Sequence, residues 1–185
     1  MKYTGQKTYT LSVCGLEREL PVVRVGDNLW IASFVMLGDV ELVNICAANL
    51  AARLTKFELD CLVGPEAKVV PLLQALATLL GHRRYVVCRK SLKSYMQNPL
   101  VQEVKSITTA GTQKLVLDGV DVERLRGARV AIVDDVVSTG GSLTGVQQLL
   151  EKAQAKVVCR AAVLKEGDFF SEELIYLEDL PVFQQ

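Results

Sequence analysis

Histidine is almost missing from this chain of 185 residues: His82 is the only one. A metal centre needing two or more imidazoles from one chain is therefore excluded. A Ser-His-Asp or Cys-His enzyme would have to use His82, which follows Gly81 at what reads as a surface turn. Cysteine is sparse. Cys14, Cys46, Cys61, Cys88 and Cys159 are scattered, odd in number and form no C-x-x-C. They read as buried, reduced thiols and not as a zinc or redox framework. Net charge is absent too, since 21 basic side chains cancel 21 acidic ones. No global positive field exists for duplex nucleic acid, which leaves room only for a local basic pocket. No apolar run approaches the roughly 20 residues that span a bilayer, and Met1–Thr10 is polar, without the apolar stretch of a secretory signal. The expectation is a soluble, cytoplasmic protein with neither a membrane nor a nucleic-acid partner. Two phosphate-binding signatures are also missing: there is no G-x-x-x-x-G-K-[ST], and no G-x-G-x-x-G follows a strand.

What is present suits one globular domain. Half the residues are hydrophobic and 23% are charged. A chain of this size buries about 70% of its extended-chain surface, enough for a core without disulfides. Lys7–Val13 and Leu20–Val25 read as extended. Asp39–Leu54 has helical period, with Asp39 as candidate N-cap. Asp60–Val63 reads as a strand, Ala67–Leu80 as a helix stopped by Gly81, and Tyr85–Cys88 as another strand. Val104–Ile107 and Lys114–Leu117 suggest a hairpin around Ala110-Gly111. Arg129–Val133 is apolar enough for a strand buried on both faces. A helix over Thr139–Ala153 and a strand over Lys156–Val163 follow, and Lys165–Gln185 reads as irregular and acidic. This alternation predicts an α/β fold with an open, mostly parallel twisted sheet flanked by helices.

The most informative segment is Val130–Leu143. An apolar strand ends in two adjacent carboxylates, Asp134 and Asp135. A turn rich in hydroxyls and glycine follows, and then a helix. Ligands of open α/β sheets bind beyond the carboxyl ends of strands, and a helix N-terminus offers free N–H groups to a phosphate. Gly140 and Gly141 allow close backbone approach, and Ser138, Thr139 and Ser142 add donors. The two acids suit hydroxyl donors such as those of a ribose. The composite points to a sugar phosphate with free hydroxyls.

Val130–Leu143 resembles the phosphoribosyl-pyrophosphate (PRPP) signature of type I phosphoribosyltransferases: apolar strand, two acids, two apolar residues, then [ST]-T-G-G-[ST]. The resemblance runs from about Leu20 to the C-terminus and is strongest to the adenine phosphoribosyltransferase branch and its bacterial relatives. Two further segments carry it. Gly64-Pro65-Glu66-Ala67-Lys68 lies between a strand and a helix, where the family places its pyrophosphate loop. Arg89-Lys90-x-x-Lys93 matches the R-K-x-x-K that adenine and orotate enzymes carry after the next strand. Two positions depart from the pattern. Val69 stands where many relatives have glycine. Thr109 falls where adenine enzymes carry a glutamate that handles the purine ring proton, and Glu103 is a nearby substitute. Ser106-Ile107-Thr108-Thr109 also resembles the corresponding loop of xanthine-type enzymes.

The resemblance implies one phosphoribosyltransferase domain over residues 1–185, with a core of about 36–164 and a small hood from about 1–35 and 165–185. It implies a Mg²⁺-dependent pentosyl transfer in which a purine displaces pyrophosphate from PRPP. Adenine is the first choice, giving AMP for purine salvage. The alternatives are a 6-oxopurine (xanthine or hypoxanthine) enzyme and a non-catalytic PRPP-sensing regulator. In this reading Asp134 and Asp135 hold the ribose, directly or through the metal's waters, and Val137, Ser138, Thr139, Gly140, Gly141 and Ser142 hold the 5′-phosphate. Ala67, Lys68, Arg89, Lys90 and Lys93 meet pyrophosphate, Lys93 and Glu103 are catalytic candidates, and Ser91–Gln113 closes as a flap. No direct metal ligand is implied. Phe34, Lys165, Phe169 and Phe170 are candidates for the base, and a homodimer is expected.

Overall fold

A computed structural model describes residues 1–105 and 112–185. Its centre is a five-stranded sheet in which every neighbouring pair is parallel. In chain order the strands are β4 (Cys61–Pro65), β5 (Val86–Cys88), β8 (Arg129–Val137), β9 (Lys156–Glu166) and β10 (Ile175–Leu180). They lie side by side as β10-β9-β8-β4-β5. The order therefore reverses between β4 and β8, which makes their carboxyl ends the natural place for a ligand.

The apolar run that identifies β8 explains how the sheet is covered. Ala131 and Val133 join one core cluster, with Leu42, Leu50 and Leu54 of α1 (Val40–Leu54) and Leu72, Leu73 and Leu76 of α2 (Val70–Leu79). Val130 and Ile132 join the other, with Leu143, Val146, Leu149 and Leu150 of α4 (Gly141–Lys152). All four strand residues are 0% exposed, as a central strand buried on both faces requires. The expected N-cap of α1 is present: Asp39 accepts the Leu42 N–H at 3.0 Å.

A second, antiparallel sheet joins the chain ends. It has the order β1-β2-β3-β11, with β1 (Thr8–Val13), β2 (Leu16–Gly26), β3 (Leu29–Ala32) and β11 (Val182–Gln184). Leu11, Val13 and Phe183 carry it onto the α1 side of the core. The C-terminal stretch is therefore not irregular. Pro181 has no N–H to donate, and it separates β10 in the central sheet from β11 in the second. Glu178 and Asp179 interrupt the apolar pattern because β10 is a partly exposed edge strand.

Other boundaries move. β8 continues to Val137 and β9 to Glu166, past the expected ends at Val133 and Val163. α2 starts at Val70 and α4 at Gly141, later than expected, because the residues before them form turns, the second around Gly140 in a left-handed conformation. A short α3 (Gly119–Leu125) was not expected. The hairpin is β6 (Leu100–Lys105) paired with β7 (Thr112–Leu117), and both strands start earlier than the expected Val104 and Lys114. Its root is not a loose loop, because Leu115, Val116 and Leu117 are buried. Ser106–Gly111, which contains the Thr109 position and the expected turn, lies outside the described residues.

All five cysteines are free. Burial pushes the Cys46 thiol up to about 12 and Cys159 up to about 11, so both stay protonated. Among the described residues no helix is long and apolar enough to cross a membrane.

Candidate active site

β8 carries its two acids inside the strand. Asp134 and Asp135 are 7% and 8% exposed, so neither stands open beyond the strand end. Only Asp134 lines the cavity described below. The cause is the extra length of β8, whose pairing with β9 continues to Val137. Burial and the neighbouring Asp135 raise the Asp134 carboxyl well above its usual range, opposed by the Asp135 N–H and by Lys90. That N–H donates to Asp134 Oδ1 at 2.9 Å. Asp135 Oδ2 is buried without a hydrogen-bond partner. Two adjacent buried carboxyls with an unfilled acceptor cost stability unless a ligand uses them.

The cradle follows directly. Gly140 has φ 79°, a left-handed conformation that glycine adopts without strain, and no side chain caps the α4 N-terminus it precedes. The first N–H groups of α4 are thus left for an anion. Ser138, Thr139, Gly140, Gly141 and Ser142 all line a cavity of about 740 Å³, together with Asp134. The opposite wall is apolar and comes from the second sheet and its neighbour: Val25, Leu29, Ile31, Val182 and Phe169. The cavity therefore has a polar floor for an anionic sugar and an apolar wall for a flat ring.

The expected pyrophosphate cations lie on the two loops after β4 and β5. Glu66 ties these loops together: its Oε1 accepts the Lys90 N–H at 2.6 Å and its Oε2 stands 2.7 Å from Arg89 Nε. The Arg89 contact is an ion pair without hydrogen-bond geometry. Ala67 and Lys68 are exposed at the head of α2, in a loop whose Glu66–Ala67 peptide is cis, and Lys68 Nζ lies 3.4 Å from the Phe34 carbonyl. Lys90 is near enough to Asp134 to act on its charge, whereas Lys93 is half-buried in the following loop and does not line the cavity. Val69 fits its place: it is buried and takes an ordinary right-handed conformation, φ −77°, as the residue before α2.

The base candidates divide. Phe169 is exposed and lines the cavity. Phe170 does not; it is buried in the α4-side core against Gly140. Phe34 is buried and Lys165 holds its ammonium 5.8 Å above the Tyr176 ring, and neither lines the cavity. Glu103 does line it, from the exposed face of β6, with Lys114 at 3.8 Å. Glu166, which sequence reasoning missed, lines it from the end of β9 and is 8% exposed. The available signal was an acid at the end of an apolar strand, the same signal that marks Asp134.

The phosphoribosyl transferase domain profile matches residues 40–168, which includes the acid pair, the cradle and both cation loops. The chain belongs to this family. It is 34% identical to a hypoxanthine/guanine phosphoribosyltransferase of Methanococcus voltae over 80% of this chain and 76% of that protein. It is 30% identical to an adenine phosphoribosyltransferase of Corynebacterium jeikeium over 80% of this chain and 69% of that one. The adenine phosphoribosyltransferase of Thermoanaerobacter pseudethanolicus superimposes with a TM-score of 0.65 at 25% identity, covering 78% of this chain and 84% of that chain. The parallel sheet flanked by helices, with the antiparallel sheet from the chain ends, is thus the type I phosphoribosyltransferase fold. The family match ends at residue 168, so Phe169 and β11 lie beyond the matched residues.

Proposed function

We propose that this chain transfers 5-phosphoribose from PRPP to a purine, adenine first, with release of pyrophosphate. One observation carries the reading: the buried acid Asp134, an amide-and-hydroxyl cradle and an apolar wall line one cavity of about 740 Å³. The 5′-phosphate sits on the Thr139–Ser142 amides and hydroxyls, which fixes the sugar. Asp134 and Asp135 hold the ribose hydroxyls and favour the positive charge that develops on the ring. Lys68, Arg89, Lys90 and Lys93 stabilise the leaving pyrophosphate, and the β6–β7 ribbon closes to keep water out.

Mg²⁺ suits this donor set. Among the described residues no group of three acids, histidines or cysteines could hold a metal alone. One cavity-lining carboxylate at the cradle, Asp134, suits an ion held mostly by substrate oxygens and water. When bound, the ion neutralises charge developing on pyrophosphate. A homodimer belongs to the same reading. Val35, Leu37 and Val40 expose 52%, 53% and 71% of their surface on the segment entering α1, and sedimentation tests whether a second copy covers them.

Adenine is preferred because no cation is found among the described residues lining the cavity, so no ammonium stands ready to read a 6-oxo group. The 6-oxopurine reading has its own support in the likeness to hypoxanthine/guanine enzymes. Incubation with PRPP, Mg²⁺ and each of adenine, hypoxanthine, guanine and xanthine separates them. AMP is the expected product. Nucleotide from 6-oxopurines alone overturns the adenine choice, and PRPP binding without turnover of any base indicates a regulator.

A further inference from the structure

We propose that Glu166 is the catalytic group that accepts the ring proton of the incoming base. The inference rests on the phosphoribosyl-transfer reading above. A purine nitrogen that bonds to C1′ must shed one ring N–H proton. As the N–C1′ bond forms, the C1′–O bond to pyrophosphate breaks and its electron pair leaves with pyrophosphate. The proton passes to a carboxylate oxygen and later to solvent. The acceptor must stand where the sugar and the base meet.

Glu166 stands there. It ends β9 one residue past the Val137–Lys165 pair, beside the turn that carries the cradle, and it lines the cavity that the cradle and the apolar residues share. Ser138 lines the same cavity and favours the charged form of the Glu166 carboxylate, as does Lys68 more weakly. Glu166 forms no ion pair among the described residues. Asp134 and Glu103 line the same cavity from β8 and β6, and Asp168 follows on the next turn but is exposed. An acid buried in a ligand cavity without a paired cation is costly to folding, which is the mark of a working group and not of a structural one.

The other acids fit less well. Asp134 and Asp135 are placed for the ribose. Glu103 is exposed and already stands 3.8 Å from the Lys114 ammonium, so it is neither buried nor unpaired. Burial instead raises the Glu166 carboxyl above its ordinary value, which makes its ionised form a better proton acceptor near neutral pH.

The test is the pH profile of kcat/KM for the base, with PRPP binding measured separately, for wild type, Glu166→Gln and Glu166→Asp. Glu166→Gln should lower kcat by roughly 100-fold or more, erase the acid limb of the profile and leave PRPP affinity unchanged. Glu166→Asp should keep an acid limb, displaced in pH, and so decides the matter if the glutamine variant does not fold. Wild-type turnover of a purine, with the same rate and acid limb in Glu166→Gln, overturns the proton-acceptor role alone. No turnover of any purine by the wild type removes the phosphoribosyl-transfer reading, and this role with it.

Discussion

Gly140 turns beneath the ring of Phe170 so closely that a β-carbon there would stand 2.3 Å from Phe170 Cδ2 and 2.5 Å from Cε2. The Ser138–Ser142 turn is therefore braced by Phe170, from the segment that follows β9. Gly140→Ala meets two penalties, a left-handed backbone and this contact, and should destabilise by about 1–3 kcal/mol. Phe170→Ala removes a buried ring and should cost about 3–5 kcal/mol by itself. Because the two share one contact, the double variant should cost less than the sum. Urea denaturation of the four proteins reads this directly, and strict additivity would show that the brace does not exist.

The acid pair should matter more to turnover than to folding. Asp134 and Asp135 are buried side by side, and burial together with Asp135 disfavours the charged form of Asp134. Asp135→Asn should lower kcat/KM at least about tenfold, a loss of roughly 1.4 kcal/mol of transition-state stabilisation. The same change relieves repulsion, so Tm should stay level or rise. Steady-state kinetics beside thermal melts checks both halves, and wild-type turnover would end the assignment of Asp135 to the ribose.

The polar half of the cavity was legible because its signal is local. Asp134-Asp135 followed by Ser138–Ser142 is contiguous, and the buried run Val130–Val133 fixes it at the end of a central strand. The base half was not, because it depends on strand length and pleat. Ending β9 at Val163 leaves the side assignments of Lys165 and Glu166 open. With β9 running to Glu166, Glu166 reaches the cavity and Lys165 lies over Tyr176. Phe169 and Phe170 are equivalent as letters. Only the packing against Gly140, distant in sequence, assigns one to the core. The short α3 begins with glycine and has just one buried residue, Leu125, too little for a periodic signal.

Arg18 links the second sheet to the head of α1. Its Nε donates to Asp39 Oδ2 at 2.7 Å, and Asp39 also caps the helix. The Arg18 bond, then the Leu42 N–H, hold the Asp39 carboxyl below its ordinary value. A depressed carboxyl contributes stability that is complete above the unfolded pKa of about 3.9 and is lost as pH falls through the folded value. Asp39→Ala should therefore cost about 1 kcal/mol at pH 7, and the difference from wild type should shrink below about pH 4. Melting curves from pH 7 down to 2.5 test this. A gap that persists unchanged to the lowest pH would mean that the ionised carboxylate is not what Asp39 supplies.

Lys165 is the position at which the two base readings part. Its ammonium lies 5.8 Å above the Tyr176 ring, outside the residues that line the cavity. With adenine as substrate the lysine has only this contact to lose, so Lys165→Ala should leave kcat/KM within about twofold. Its effect on stability should be about 0.5–1 kcal/mol, the size of an exposed cation–π contact. With a 6-oxopurine as substrate, the lysine would have to turn inward to donate to the oxo group. Removing that donor should then cost about 1–3 kcal/mol in transition-state binding. Kinetics of the variant on adenine and on hypoxanthine separate these outcomes. A large loss confined to hypoxanthine, in a protein without adenine activity, would give the cavity to the 6-oxopurines, and the Tyr176 contact would then be the resting position of a residue that moves when the base arrives.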